Sequence, residues 1–301
     1  MTAKSLIVKD NRLIEACYRL DLAEQRLILL AIVRARDAKK TITADLWLEV
    51  SVKDYNDTYG FGDTAGYKVL NTAAASLFNR YVRINLIDPA TGKDSHLSTR
   101  WVSACHYVEQ ASLVRIQISP LMIPYITNLE SKFTSYQLKN VAKMTSAYAI
   151  RLFELMMQYR NIGERYITID NLKEYLGATG EGYARVDNFK NKVVVPAIAQ
   201  INKHTELNVE FINRKVGRSV VGYDFKITAK EDQQPKQPAK RAAKIKPNAP
   251  TPLPTGLTLA EKNMIKKICA KTGESDADVL AKAQAMGVEL FVALDQMTKA
   301  V

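Results

Sequence analysis

The sequence predicts an α+β protein: two tandem winged-helix domains, then a basic linker and a small α-helical tail. Three observations predict it. Two stretches about 120 residues apart repeat one another in three consecutive pieces. Within each stretch the hydrophobic period switches from helix to strand and back. Near residue 231 the composition turns abruptly to proline and lysine. The expected divisions are 1–130, first winged helix; 131–230, second winged helix; 231–256, linker; and 257–301, helical tail.

The first repeated piece is a strongly apolar helix. Arg26, Leu27 and Leu30 of AEQRLILLAIV align with Arg151, Leu152 and Leu155 of AYAIRLFELMM. The earlier helix starts at DLAE, where Asp21 can cap and Glu24 can reach back to the cap. In the second piece VSVKDYNDTYG superposes on ITIDNLKEYLG, so that Val50 meets Ile167, Val52 meets Ile169, Tyr55 meets Leu172 and Gly60 meets Gly177. Alternating apolar residues give a short strand, and the closing glycine suits the left-handed position that ends a helix. The third piece pairs YKVLNTAAASLFNR with FKNKVVVPAIAQINK, placing Leu70, Ala74, Phe78 and Asn79 opposite Val193, Ala197, Ile201 and Asn202.

β-rich sequence follows each third piece. In the second half NVEFINRKVGRSVVGYDFKIT alternates on both sides of Lys215-Val216-Gly217-Arg218, a hairpin with a basic tip. In the first half YVRINLI, DPATGKDSH, STRWVSACHYV and LVRIQIS form a similar but longer set. Helix, strand, helix, helix, hairpin is the order of a winged helix. Pro196 stands where the third helix of the second unit is in mid-course, and an interior proline costs roughly 3 kcal/mol. A continuous, mildly kinked helix is expected, its polar first turns outward, Val193, Ala197 and Ile201 inward, and the cost offset by burial all round its second half.

Residues 231–254 hold six of the ten prolines together with Lys236, Lys240, Arg241, Lys244 and Lys246, a composition that cannot pack a core. Beyond it, Thr258 to Glu261 has capping-box spacing, and Met264, Ile265, Ile268 and Cys269 make a helical stripe that Gly273 stops. The stripe suits the core of a small module; partner docking is the alternative.

Net charge is +12 over 301 residues. The excess is +2 in residues 1–130, +7 in 131–230 and +3 in 231–301, which suggests a polyanionic partner for the second unit, with a merely solvated basic face as the alternative. No apolar run reaches the 18 or so residues of a membrane span, and MTAKSLIVKDNRLIEA has no signal-peptide pattern, so a cytoplasmic protein is expected. Cys17, Cys105 and Cys269 are far apart and form no zinc or disulfide pattern. No cofactor or metal is expected, nor an enzyme. Gly92-Lys93 lacks the upstream glycine of a phosphate loop, and His96, His106 and His204 are too scattered to hold the metal of a nicking enzyme. Trp47 and Trp101 are expected in the core.

Each unit carries a third helix shaped to enter a DNA major groove, with a hairpin wing beside it. Winged helices also serve as protein-docking modules, but here the helix ends and wing tips carry Lys, Arg and Asn rather than apolar patches.

LIVKDNRLIEACYRLDLAEQRLILLAIV, FTSYQLKNVAKMTSAYAIRLFELMMQYR and FKNKVVVPAIAQINKHTELNVEF, in this order, resemble the replication initiator (Rep) proteins of iteron-controlled theta plasmids. The resemblance spans Ser5 to Ile227 and leaves the tail uncovered. It implies a non-enzymatic initiator that binds direct repeats in double-stranded DNA at a plasmid origin. It also implies a dimer, formed through the first winged helix, that represses the protein's own promoter at an inverted repeat. The host initiator and replicative helicase are the implied protein partners. A dedicated winged-helix transcriptional repressor and a relaxase are the other readings.

Carried onto this chain, the resemblance places DNA contact at Arg185, Asn188, Lys190, Asn191 and Lys192 of the second reading helix and at Arg214, Lys215 and Arg218 of its wing. In the first unit the matching residues are Tyr67, Lys68, Asn71 and Thr72, with Arg80 and Arg83 beyond. Arg and Asn suit guanine and adenine edges, whereas lysines suit phosphate.

Overall fold

The computed structural model describes residues 5–38, 40–108, 111–127 and 133–230, together with Ile265, Ile268, Val279 and Lys282. The chain divides into two compact units, Met1–Gln233 and Gln234–Val301. In the second, Ile265, Ile268 and Val279 are helical and buried. The expected linker and most of the expected tail helices lie outside the described residues.

Within the first unit the repeat is visible as two halves. The first runs β1 (Leu6–Asp10), α1 (Asn11–Ile14), β2 (Cys17–Tyr18), α2 (Leu22–Asp37), β3 (Leu48–Ser51), α3 (Val52–Tyr59), α4 (Asp63–Leu77), β4 (Tyr81–Ile87), β5 (Asp94–Arg100), β6 (Val102–Val108) and β7 (Leu113–Ile118). A 3-10 turn, Pro120–Tyr125, leads toward the second half. That half runs β8 (Phe133–Gln137), α5 (Lys139–Ala142), α6 (Ala147–Gln158), β9 (Glu164–Thr168), α7 (Ile169–Leu176), α8 (Val186–Phe189), α9 (Val195–His204), β10 (Leu207–Val216) and β11 (Ser219–Ala229).

Local chemistry sets the equivalent boundaries. Asp21 accepts from the Glu24 N–H at 2.8 Å while Glu24 accepts from the Asp21 N–H at 2.7 Å, so the capping box at the start of α2 is complete. Ser51 caps α3 and Thr168 caps α7 through the side-chain half of this arrangement, accepting from the Asp54 and Asn171 N–H groups. Each of these short helices ends on a left-handed glycine, Gly60 at φ 75° and Gly177 at φ 66°. α2 and α6 are buried on nearly every face, Leu27 to Val33 in one and Ala149 to Met157 in the other, and one continuous core joins the two halves.

The sheets show which hairpin is the wing. β9-β11-β10 in the second half matches β3-β7-β6 in the first, with the equivalent strands β9 and β3 antiparallel to the inner strand of each wing. The extra length of the first half is therefore an inserted hairpin, β4–β5, placed between reading helix and wing and paired through β4 with β2. The correspondence between the halves extends further toward the N-terminus of each. β1-α1 and β8-α5 are also equivalent, and β1 and β8 pair antiparallel with each other, Leu6 opposite Gln137 and Asp10 opposite Phe133.

Pro196 does sit within one continuous helical path from Val186 to His204, but burial does not offset its cost. Val195 is 43% exposed and Pro196 is exposed as well. The chain instead widens into a π turn over Lys190–Val194, where the Val195 N–H donates to the Lys190 carbonyl five residues back. This shift in hydrogen-bond register brings Pro196 into the first turn of α9, where an N–H is not required. Val193, Ala197 and Ile201 face the core as expected. Trp101 is buried edge-on against Tyr18, but Trp47 is 37% exposed and rests on His106, so it is not a core residue.

Candidate nucleic-acid interface

The reading helix of the second half is held by its apolar side. Phe189, Val193, Val194, Ala197 and Ile201 are buried, and α9 packs on α6 and β10. This leaves Arg185, Asn191 and Lys192 exposed along the other side, with Asn188 and Lys190 half-buried between them. The Lys190 ammonium lies 5.7 Å over the Phe211 ring of β10, a cation–π contact that ties the reading helix to the wing. The wing turns at Gly217, φ 59°, and carries Lys215 and Arg218 exposed at its tip. Among the described residues no carboxylate pairs with Arg185, Lys192, Lys215 or Arg218. Helix and wing tip thus each present unneutralised cations, the helix together with the amides of Asn188 and Asn191. That combination suits a phosphate backbone with base edges between its strands.

Arg214 is engaged within the wing itself. It forms a two-pronged pair with Asp224, 2.9 and 2.6 Å, and stacks 4.1 Å over Tyr166. A cross-strand carboxylate already neutralises it, so it braces the stem of the wing.

In the first half α4 crosses α3 at close range. A Cβ at Gly66 would fall 1.5 Å from Asn56 Oδ1, so a larger residue there would have to displace the Asn56 amide. Lys68 and Thr72 are exposed on α4 and Asn71 is half-buried, which places these three on or near the outer face. Tyr67 instead meets Tyr107 of the wing edge-on at 5.4 Å and faces the sheet. Arg80 donates to both oxygens of buried Glu24, 2.7 and 2.9 Å, and locks the end of α4 to the start of α2. Arg83 pairs with Glu174 of α7 at 3.3 Å. Both arginines were expected at DNA, and both are engaged by carboxylates of the protein itself, Arg83 within β4 and Arg80 immediately before that strand. The first unit consequently offers fewer cations than the second.

Nothing among the described residues forms a group of three or more potential metal ligands. Burial pushes the Cys105 thiol up to about 11 and also raises Cys17, so both are protonated near neutrality. Burial likewise raises the hydroxyls of Tyr18, Tyr55, Tyr59 and Tyr136, which moves them further from the nucleophilic phenolate. No helix of the described residues is long and apolar enough to cross a membrane.

Sequence reasoning overlooked Lys9 and Glu154 among the residues that join the two halves, read Gly177 only as a helix stop, and aligned Arg26 and Arg151 without assigning them a role. The available signal was an arginine at the same position of two otherwise apolar helices, since a buried guanidinium needs several acceptors.

Known proteins agree with this architecture. Residues 6–157 match the family described as initiator replication protein, WH1, and residues 168–227 match initiator Rep protein, WH2. An uncharacterized 27.6 kDa protein of Escherichia coli is 21% identical over 219 residues, covering 70% of this chain and 90% of its own length. Among solved structures, the Pi initiator protein in complex with iteron DNA superposes with a TM-score of 0.62 at 22% identity, covering 77% of this chain and all of that one. The WH1 domain of MSBI1.176, a replication protein isolated from a multiple sclerosis patient, has a TM-score of 0.32 at 32% identity and covers 35% of this chain and 79% of its own. With both domains matched in order, the chain belongs to the replication initiator protein family.

Proposed function

We propose that this protein initiates plasmid replication by binding directly repeated origin sites, or iterons, through its two winged helices. The observation that carries this reading is that Arg185 and Lys192 of the reading helix and Lys215 and Arg218 of the wing tip are exposed cations with no carboxylate partner among the described residues, with the exposed amide of Asn191 on the same helix. The Pi initiator, similar in fold, was solved on iteron DNA. In the proposed complex, Arg185, Asn188 and Asn191 read base edges, while Lys190, Lys192, Lys215 and Arg218 neutralise phosphate. Lys68, Asn71 and Thr72 make the contacts of the first unit. Tyr67, Arg80, Arg83 and Arg214 serve the framework.

The protein acts without catalysis, in the cytoplasm, and hands the origin to the host initiator and replicative helicase. A dimer formed through the first winged helix represses the promoter of its own gene at an inverted repeat. Footprinting on DNA flanking its own gene tests the reading. Protection of direct repeats by monomer is expected. Protection only of an inverted repeat, and only by dimer, would make the chain a dedicated repressor instead.

A further inference from the structure

The reading helix of the second half is cationic with one exception. Between Arg185 and His204 the chain carries Arg185, Lys190, Lys192 and Lys203 but a single carboxylate, Asp187. Asp187 is exposed in the first turn of α8, and among the described residues no lysine or arginine pairs with it. Arg185 stands two residues before it and Lys190 three after, yet neither neutralises it. Asp224 of the wing stem, by contrast, is taken up by Arg214.

Asp187 lies on the side of the helix that meets the wing. Lys190 and Asn191, three and four residues on, share that side, and Lys190 reaches the Phe211 ring of β10. Phe211 in turn packs edge-on against Tyr223 of β11 at 5.0 Å. Tyr223 is fully buried, and its hydroxyl has no hydrogen-bond partner among the described residues. Burial, with the nearby negative charge of Asp187 adding to it, pushes that hydroxyl up to about 12. The carboxylate therefore stands where reading helix and wing converge, at the N-terminal end from which such helices contact base edges.

An unpaired acid is costly at such a place. It repels the phosphates that the surrounding cations attract, and that repulsion acts on DNA of any sequence. Attraction to the free N–H groups at a helix start is the ordinary reason for a carboxylate in a first turn, but that attraction needs no position beside the wing. Toward DNA a carboxylate can only accept hydrogen bonds. In the major groove guanine presents the acceptors O6 and N7, thymine presents O4, and adenine sets the acceptor N7 beside its amino group. Cytosine offers its N4 donor with no acceptor of its own beside it.

We propose that Asp187 is a specificity-determining residue: it accepts a hydrogen bond from the N4 amino group of a cytosine in the major groove and weakens binding to DNA that lacks that cytosine. The proposal rests on the reading of the second winged helix as a DNA binder. One side chain then supplies both an attraction to the right base and a repulsion from every wrong one. Asp187 thus differs in sign from its neighbours. Its removal should tighten binding to unrelated DNA, whereas removal of Arg185 or Lys192 should weaken it.

The test uses the full-length protein and a duplex of about 30 base pairs, three helical turns, selected by the wild-type protein from a randomised library. Each base pair is replaced in turn, and affinity is measured for wild type, Asp187→Asn and Asp187→Ala, with an unrelated duplex of the same length alongside. At one position the wild type should prefer cytosine by about fivefold or more, the weight of one mismatched base pair. Both variants should lose the preference at that position, keep it elsewhere, and bind the unrelated duplex about twofold or more tightly than wild type. Thermal unfolding of the variants separates out a purely structural role. An even loss of affinity across all sequences, tracking a lowered Tm, would reduce Asp187 to a helix-end charge and overturn the proposal. So would a wild-type preference kept at every position by Asp187→Ala, or no gain on the unrelated duplex. Failure of the wild type to select any duplex would instead remove the underlying reading.

Discussion

Arg26 and Arg151 hold equivalent positions on α2 and α6, and each crosses to the opposite half to bond the backbone just beyond its short helix. Arg26 donates to the Met144 carbonyl at 2.9 Å, after α5, and Arg151 to the Ala16 carbonyl at 2.9 Å, after α1. Each also stacks on a tyrosine, Arg26 on Tyr59 at 4.8 Å and Arg151 on Tyr18 at 3.8 Å. The repeated halves are thus cross-braced by a repeated residue. The two braces differ in charge, since only Arg151 faces a buried carboxylate.

That difference sets the first expectation. Arg151→Ala removes one of the two cations beside Glu154 and strands carbonyls of Ala16 and Tyr175, so urea unfolding should show a loss of about 3 to 5 kcal/mol. Arg26→Ala should cost less. Arg151→Lys should recover only part of the loss, because an ammonium cannot span acceptors on two elements as a planar fork does. Equal losses for the Arg26 and Arg151 truncations would show that Glu154 does not depend on Arg151.

The two left-handed glycines should respond unequally to alanine. At Gly60 nothing lies within 4 Å of an added Cβ, so Gly60→Ala should cost only the backbone penalty, about 1 to 2 kcal/mol. At Gly177 the same penalty is joined by a collision with the Tyr18 carbonyl oxygen at 2.4 Å, and the loss should be clearly larger. Thermal unfolding of the pair measures the difference; identical shifts would mean that the boundary gives way without cost.

Much of this was legible in the sequence because it is local. The capping box of Asp21 and Glu24, the glycine stops at Gly60 and Gly177 and the inward row of Val193, Ala197 and Ile201 all follow from neighbours within a few residues. What escaped depends on distant partners. Arg80, Arg83 and Arg214 look like free cations until Glu24, Glu174 and Asp224 are placed beside them. The inserted hairpin β4–β5 could not be told from the wing by alternation alone, since both alternate. Pro196 was located correctly within one helical path, but the means of accommodating it, a wide turn before an exposed proline, leaves no trace in hydrophobic pattern.

This sorting of arginines and lysines gives a direct expectation for binding. Lys190→Ala and Arg218→Ala should each reduce the salt slope of DNA affinity by about 0.9, the value of one lost phosphate contact on B-form DNA. Arg80→Ala and Arg214→Ala should leave that slope unchanged, and Arg80→Ala should lower stability by stranding buried Glu24. A reduced slope for Arg214→Ala would place it back at the DNA.

Acid should loosen the boundary. Burial by itself would raise the Glu154 carboxyl, but Lys9, Arg151 and the hydrogen bonds from Lys9 and Tyr136 outweigh it and hold the carboxyl below its ordinary value. Its contribution is therefore complete above the unfolded-state value of about 4.3 and is lost as pH falls through the lower folded value. Stability measured against pH for wild type and Glu154→Gln should converge below about pH 4, and a constant difference down to the most acidic point would contradict the assignment.

Hydroxyl-radical footprinting of the monomer on its selected duplex tests the central claim most directly. Two protected windows are expected on one face of the DNA, about 10 base pairs apart, with the stronger protection under the second winged helix. A single window would contradict the account of two readers on one chain.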